Sequence, residues 1–165
     1  MTGPDRTEFY ERRATLVRQA VEKRKEAENY REMFVGCAIL YRALGEYRTK
    51  DGANWMLKKG GCKMCAEKEA LLDAITDDGF EEVIAIVVVG NLQADDHSGR
   101  KPPTLHPCKL CRDMFQFFRL GPSTIILTIR IEGEFLRAED LIYQEQNLLA
   151  LLEYHRLDTD TNGSL

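Results

Sequence analysis

The chain has 165 residues, 44% hydrophobic and 30% charged, with a formal charge of −4 near neutral pH. That length suits one substantial core, and the acidic balance argues against wholesale binding to a phosphate backbone. The N-terminal stretch MTGPDRTEFYERRATLVRQ is charged throughout, with no apolar run ahead of a small-residue cleavage site, and no stretch approaches the length needed to span a bilayer; a cytoplasmic protein is expected.

From Thr7 to about Tyr30, Phe9, Leu16, Val17, Ala20 and Val21 recur at helical spacing and predict a first helix lying on a sheet. MFVGCAILYRAL reads as a buried strand around Phe34–Leu40, where the small residues Gly36, Cys37 and Ala38 let something approach closely. A turn is expected at RTKDGAN, with Asp51 and Gly52 as the breaker pair and a second strand pairing nearby. Cys65 to Thr76 is rich in helix formers and stops ahead of Gly79. The unbroken apolar run in EEVIAIVVVGN predicts a central strand buried on both faces. After the polar loop LQADDHSGRKPPT comes a helix opened by Pro107 and closed by Gly121, then the buried strand STIILTIRI. EFLRAEDLIYQEQNLLALLEYHRL reads as one more helix, about 137–156, with Leu141, Leu148, Leu149 and Leu152 turned inward; the tail 158–165 is expected to lack structure. Helices alternating with hydrophobic strands imply an α/β layered fold.

Five cysteines stand at positions 37, 62, 65, 108 and 111, and without an export signal they read as reduced thiols or metal ligands rather than a disulfide framework. Four of them form two CxxC pairs, Cys62/Cys65 in GGCKMCAEKEALL and Cys108/Cys111 in PCKLC. The plain reading is a closed four-cysteine zinc site that only supports folding. Against it, the long span between the pairs holds a whole helix and a central strand, and Cys65 leads directly into a helix. The other reading uses Cys65, Cys108 and Cys111, each at a helix start where the helix dipole favours thiolate. Zinc with three protein ligands keeps a position for water and lowers its pKa toward neutrality; Glu67, two residues past Cys65, is placed to take that proton.

The set Cys65-Ala66-Glu67 with Pro107-Cys108-Lys109-Leu110-Cys111 resembles the cytidine deaminase family, whose pattern is a His or Cys ligand, a Glu two residues on, and a later PCxxC. CAEKEAL is similar to that family's CAERxAL, FVGCAIL to its VGAAL strand, and DGAN, ending in Asn54, to its nucleoside-contacting loop. The resemblance covers about 30–130. It implies a three-layer α/β/α sandwich around a mixed sheet of about five strands and a single domain over 1–157, with the helix 7–30 before its core and the helix about 137–156 after it. It implies Zn2+ held by Cys65, Cys108 and Cys111, Glu67 as proton shuttle, and hydrolytic removal of an exocyclic amine from a cytosine-like ring. Asn54, Met56, Ala66 and Phe34 are assigned to the substrate pocket, and Lys68 and Arg112 to offsetting the thiolate charge. A homo-oligomer, a tetramer or a dimer, is expected by analogy.

The family members that act on cytidine carry Asn-x-Glu in the loop before the first ligand, whereas this chain has Asn54-Trp55-Met56. A thioether cannot accept a strong hydrogen bond from a sugar hydroxyl. The expected substrate is therefore a modified cytosine nucleoside, a free base or another amino-heterocycle. Deaminases of modified nucleosides such as blasticidin S also lack that glutamate, and VVVGN, ending in Asn91, resembles their corresponding strand end. Cys62 and Cys37 read as bystanders, His106 as a donor near a ligand rather than a ligand, and Phe115, Phe117 and Phe118 as helix packing or a subunit interface. The alternatives are a structural four-cysteine zinc protein and a catalytically inactive binding module of the same fold. A nucleic-acid editor is disfavoured by the acidic balance and by the lack of a basic, aromatic-interleaved strip.

Overall fold

The structure, a computed structural model, describes residues 3–91, 104–131 and 142–162. The polar loop expected after Asn91, the inward Leu141 and the last three residues lie outside that range. In chain order the elements are α1 (Gly3–Arg24), β1 (Glu28–Asn29), β2 (Val35–Ala43), β3 (Glu46–Ala53), β4 (Trp55–Met56), α2 (Ala66–Ile75), β5 (Phe80–Gly90), α3 (Lys109–Phe117), β6 (Ile125–Arg130), β7 (Ile142–Asn147) and α4 (Leu148–Asn162).

β3-β2-β5-β6-β7 form one five-stranded sheet, and β1 and β4 pair separately. The β5–β6 pair is parallel and the other pairs of the large sheet are antiparallel, so the sheet is mixed. Ile84 through Val89 of β5 are fully buried, as a continuous apolar run demands of a central strand. Alternation along β2 divides the core. Cys37, Ile39 and Tyr41 face the side covered by Ala70 and Leu71 of α2, Cys111 and Phe115 of α3, and Leu148 and Leu151 of α4. Ala38 and Leu40 face Phe9, Leu16 and Ala20 of α1. The result is the expected three-layer α/β/α sandwich. Each fully buried Leu, Ile or Phe contributes about 1.5–3 kcal/mol relative to exposure, and both layers draw on this. No helix among the described residues is long and apolar enough to cross a membrane.

Gly36 meets its expectation of close approach: a Cβ there would lie 2.0 Å from the Ala20 carbonyl oxygen of α1. Other expectations are corrected. Asp51 and Gly52 belong to β3, and the chain instead reverses at Leu44–Gly45, both at positive φ (50° and 73°). That conformation suits the twist of a two-residue hairpin, and Leu-Gly is a weak sequence signal for it. α3 starts at Lys109 rather than Pro107 and ends at Phe117, with Arg119 already at φ 55° before Gly121.

The single C-terminal helix resolves into a strand and a helix. Ile142–Asn147 pairs antiparallel with β6, because the open edge of β6 satisfies its backbone through a neighbour and that gain overrides the helix propensity of Gln and Glu. Asn147 then caps α4, its Oδ1 accepting the Ala150 N–H at 2.8 Å. Starting the helix there turns Leu148 and Leu151 inward and leaves Leu149 exposed. α4 also runs on to Asn162, into the tail expected to lack structure.

Candidate active site

Two helices on the same face of the sheet each open on a cysteine. Cys65 is the N-cap of α2 (φ −82°, ψ 146°) and Cys108 the N-cap of α3 (φ −67°, ψ 168°), and neither side chain caps its own helix. Their carbonyls accept the N–H of Glu69 at 3.1 Å and of Arg112 at 2.9 Å. Sulfur is a weak acceptor where Ser or Asp would cap, so the thiols remain available to one another. Their Sγ atoms lie 3.7 Å apart. Cys111, in the first turn of α3, joins them, and the three sulfurs lie within 4.8 Å of one another.

This spacing tests the fit of a metal. A tetrahedral zinc ion with Zn–S near 2.3 Å holds its sulfurs about 3.8 Å apart, and the Cys65–Cys108 separation of 3.7 Å agrees. Three soft thiol donors on two helix N-termini are also the donor set zinc prefers. Cys62 is exposed and lies outside the group, and Cys37 is buried in the core beneath it.

The cluster's electrostatics favour a cation. Hydrogen bonds from Cys111 and then Cys65 hold the Cys108 thiol far below its ordinary value. The donors shift the other way: Cys65 and Cys111 are pushed up, chiefly by their bonds to Cys108. Thiols this close disfavour one another's full ionisation, and a dication that displaces their protons would complete the set. Glu67 is 5% exposed. Burial raises its carboxyl to about 7; its own backbone N–H and the Lys63 ammonium oppose the rise, and the Cys108 charge adds to it. A carboxyl so poised takes and releases a proton near neutral pH.

Neighbouring elements fix the start of α2. A Cβ on Gly52 would lie 2.4 Å from the Ala66 carbonyl oxygen and 2.8 Å from the Ala70 nitrogen, so only glycine lets β3 approach α2 this closely. The Ala53 N–H donates to Glu69 Oε2 at 2.9 Å, tying the same turn to β3. Trp55 and Met64 exchange backbone hydrogen bonds at 2.9 and 3.0 Å and close the loop leading into Cys65.

The residues assigned to substrate contact divide. Asn54 is buried, with Oδ1 accepting the Val35 N–H and Nδ2 donating to the Met33 carbonyl, both at 2.7 Å. Phe34 is half-buried beside it, its N–H bonded to Asn91 Oδ1 at 2.9 Å. Met56 is half-buried on β4 and Ala66 fully buried under the helix start. Of the two assigned cations, Lys68 is exposed, while Arg112 is half-buried and donates to the Pro107 carbonyl at 2.7 Å. The lysine whose charge acts on Glu67 and Cys108 is Lys63, which sequence reasoning passed over although it lies between Cys62 and Cys65. Glu69, visible beside Glu67, was also missed, because its partner is on another element.

A five-stranded α/β/α sandwich with three thiols at paired helix N-termini and a buried carboxyl in the first turn of one of those helices defines the zinc-dependent hydrolytic deaminase class. Residues 10–127 match the family model described as the cytidine and deoxycytidylate deaminase zinc-binding region, and the chain belongs to that family. Zn2+ fits both this region and the Cys65/Cys108/Cys111 cluster. The fold is similar to that of cytidine deaminase from Burkholderia pseudomallei (22% identity, TM-score 0.61, covering 84% of this chain and 94% of that one). It is likewise similar to the cytidine deaminases of Mycobacterium tuberculosis (21%, TM-score 0.54, 84% and 92%) and Mycobacterium leprae (20%, TM-score 0.53, 84% and 95%). A search of the curated proteins returned no match.

Proposed function

We propose that the protein removes the exocyclic amine of a cytosine nucleoside by hydrolysis, and that the nucleoside is a modified one. The observation carrying the reaction type is a buried Glu67 in the first turn of the helix that Cys65 opens, where Cys65 meets Cys108 and Cys111 of α3 in a three-thiol cluster whose Cys65–Cys108 spacing suits zinc. Cys65, Cys108 and Cys111 would hold the ion, which would supply acidification of a water molecule toward neutral pH. Glu67 is placed to take a proton from the attacking water as the water oxygen bonds the amine-bearing carbon. The same carboxyl hands the proton to the adjacent ring nitrogen and then carries the remaining proton of the new hydroxyl to the departing amine, so water and amine become carbonyl and ammonia. Lys63 steadies the negative charge around Glu67, and the walls of α2 and β3 hold the carboxyl away from bulk water.

The preference for a modified substrate rests on Met56, which gives the loop a thioether where a ribose-gripping carboxylate stands in cytidine-specific relatives. Trp55, partly exposed beside it, adds apolar surface. By analogy with the family we further propose a homo-oligomer; the exposed Leu110 and Phe117 of α3 offer apolar surface for a second subunit.

An ammonia-release screen across cytosine nucleosides, modified analogues, free bases and amino-heterocycles tests the reading. Glu67→Gln is expected to retain zinc and lose about 10²–10⁴-fold in turnover. A Glu67→Gln protein as active as the parent on a confirmed substrate sinks the assignment.

A further inference from the structure

His106 precedes the Pro107–Cys108 turn and is 8% exposed. Its Nε2 lies 2.6 Å from Oε1 of Gln144 on β7, and its Nδ1 lies 3.1 Å from Nε2 of His155 on α4. An amide oxygen only accepts, so His106 donates from Nε2 and its Nδ1 accepts from His155. Both ring nitrogens are engaged, which leaves no lone pair for a metal and explains why this histidine is not a fourth ligand. The rings of Tyr154 and His155 meet it edge-on, with centroids 5.4 and 5.3 Å away. Arg112 of α3 donates to the Pro107 carbonyl at 2.7 Å.

The intervening proline makes this connection stiff. Its φ is fixed near −65°, and the residue before it is confined to extended conformations, so a displacement of His106 passes to Cys108 with little absorbed between them. Metal sites tolerate errors of only about 0.2 Å in ligand distance.

We propose that His106 is a positioning residue for the metal centre. Through Gln144 and His155 it fastens the turn presenting Cys108 to the C-terminal strand and helix, so that α4, which carries none of the thiols and not Glu67, governs how tightly zinc is held. The inference rests on the zinc reading of the three-cysteine cluster.

The test uses zinc-loaded protein, with the rate of zinc transfer to a chromophoric chelator as one readout and the absorption spectrum of the cobalt(II)-substituted protein as the other. His106→Ala and His155→Ala are expected to release zinc about tenfold faster or more and to alter the cobalt spectrum. His106→Asn, which keeps a polar atom near the Nδ1 position, is expected to recover part of the retention. Tyr41→Phe is the control for general loosening: it removes a hydroxyl bonded to Asp77 at the far end of α2, about 15 Å along the helix, and is expected to lower melting temperature without speeding release. Release within twofold of wild type in both histidine variants overturns the proposal, as does a Tyr41→Phe effect as large as theirs. Should His106→Ala fail to fold, His155→Ala and Gln144→Ala decide on the same criterion. A wild-type protein that takes up no zinc overturns the metal reading and this inference together, whereas tight wild-type binding with unchanged variants overturns this inference alone.

Discussion

Asn54 carries two bonds that its place in a loop motif does not reveal. Its amide joins the Val35 N–H to the Met33 carbonyl at 2.7 Å each way, fixing the entry to β2. Truncation strands two backbone groups, each at about 1–3 kcal/mol. Asn54→Ala is therefore expected to destabilise the fold by about 2–6 kcal/mol in chemical denaturation, and a loss under 0.5 kcal/mol would show that water replaces the amide without penalty. The three thiols and Glu67 were legible because ligand type and local spacing already encode the cluster. Glu69 and Lys63 were not, and neither were Gln144 and His155 as the partners of His106, since these act on groups that only folding brings near.

At the level of elements, the start of α2 depends on how closely β3 can approach. Gly52→Ala would place a Cβ 2.4 Å from a backbone oxygen, and backbone cannot swing aside as a flexible side chain can. Overpacking of this kind typically costs about 1–3 kcal/mol. The helix start carrying Cys65 and Glu67 would have to retreat, so lower stability and weaker zinc binding should appear together. Parallel loss in melting temperature and in zinc competition checks this; a stable variant with unchanged zinc affinity contradicts it. The same dependence on neighbours explains the misread C-terminus. Ile142–Asn147 is polar and rich in helix formers, and only the unpaired edge of β6 makes it a strand. By contrast, β5 was legible from its own residues, because an unbroken β-branched run fits little else than a doubly covered strand.

Across the whole molecule, acid stability is tied to a network at the end of α2 remote from the thiols. Asp77 accepts the Tyr41 hydroxyl at 2.5 Å and Arg48 Nη1 at 2.9 Å, and these bonds lower its carboxyl from 3.8 to about 2. A folded value below the unfolded one means that its contribution is complete above about pH 4 and is lost as the pH falls through about 2. Asp77→Asn should flatten that part of the stability profile while leaving neutral-pH zinc content unchanged, as denaturation followed between pH 2 and 6 would show. What the sequence by itself determined was the alternation of helices and strands, the central strand and the three cysteines that cluster, since periodicity and ligand spacing are local properties. Tertiary structure alone decided which strand closes the sheet edge, which lysine's charge acts on Glu67, that Asn54 bonds the backbone of Met33 and Val35, and that α4 reaches the turn before Cys108 through His106. Those contacts join residues far apart in the chain, and their free energy exists only once packing has excluded water between them.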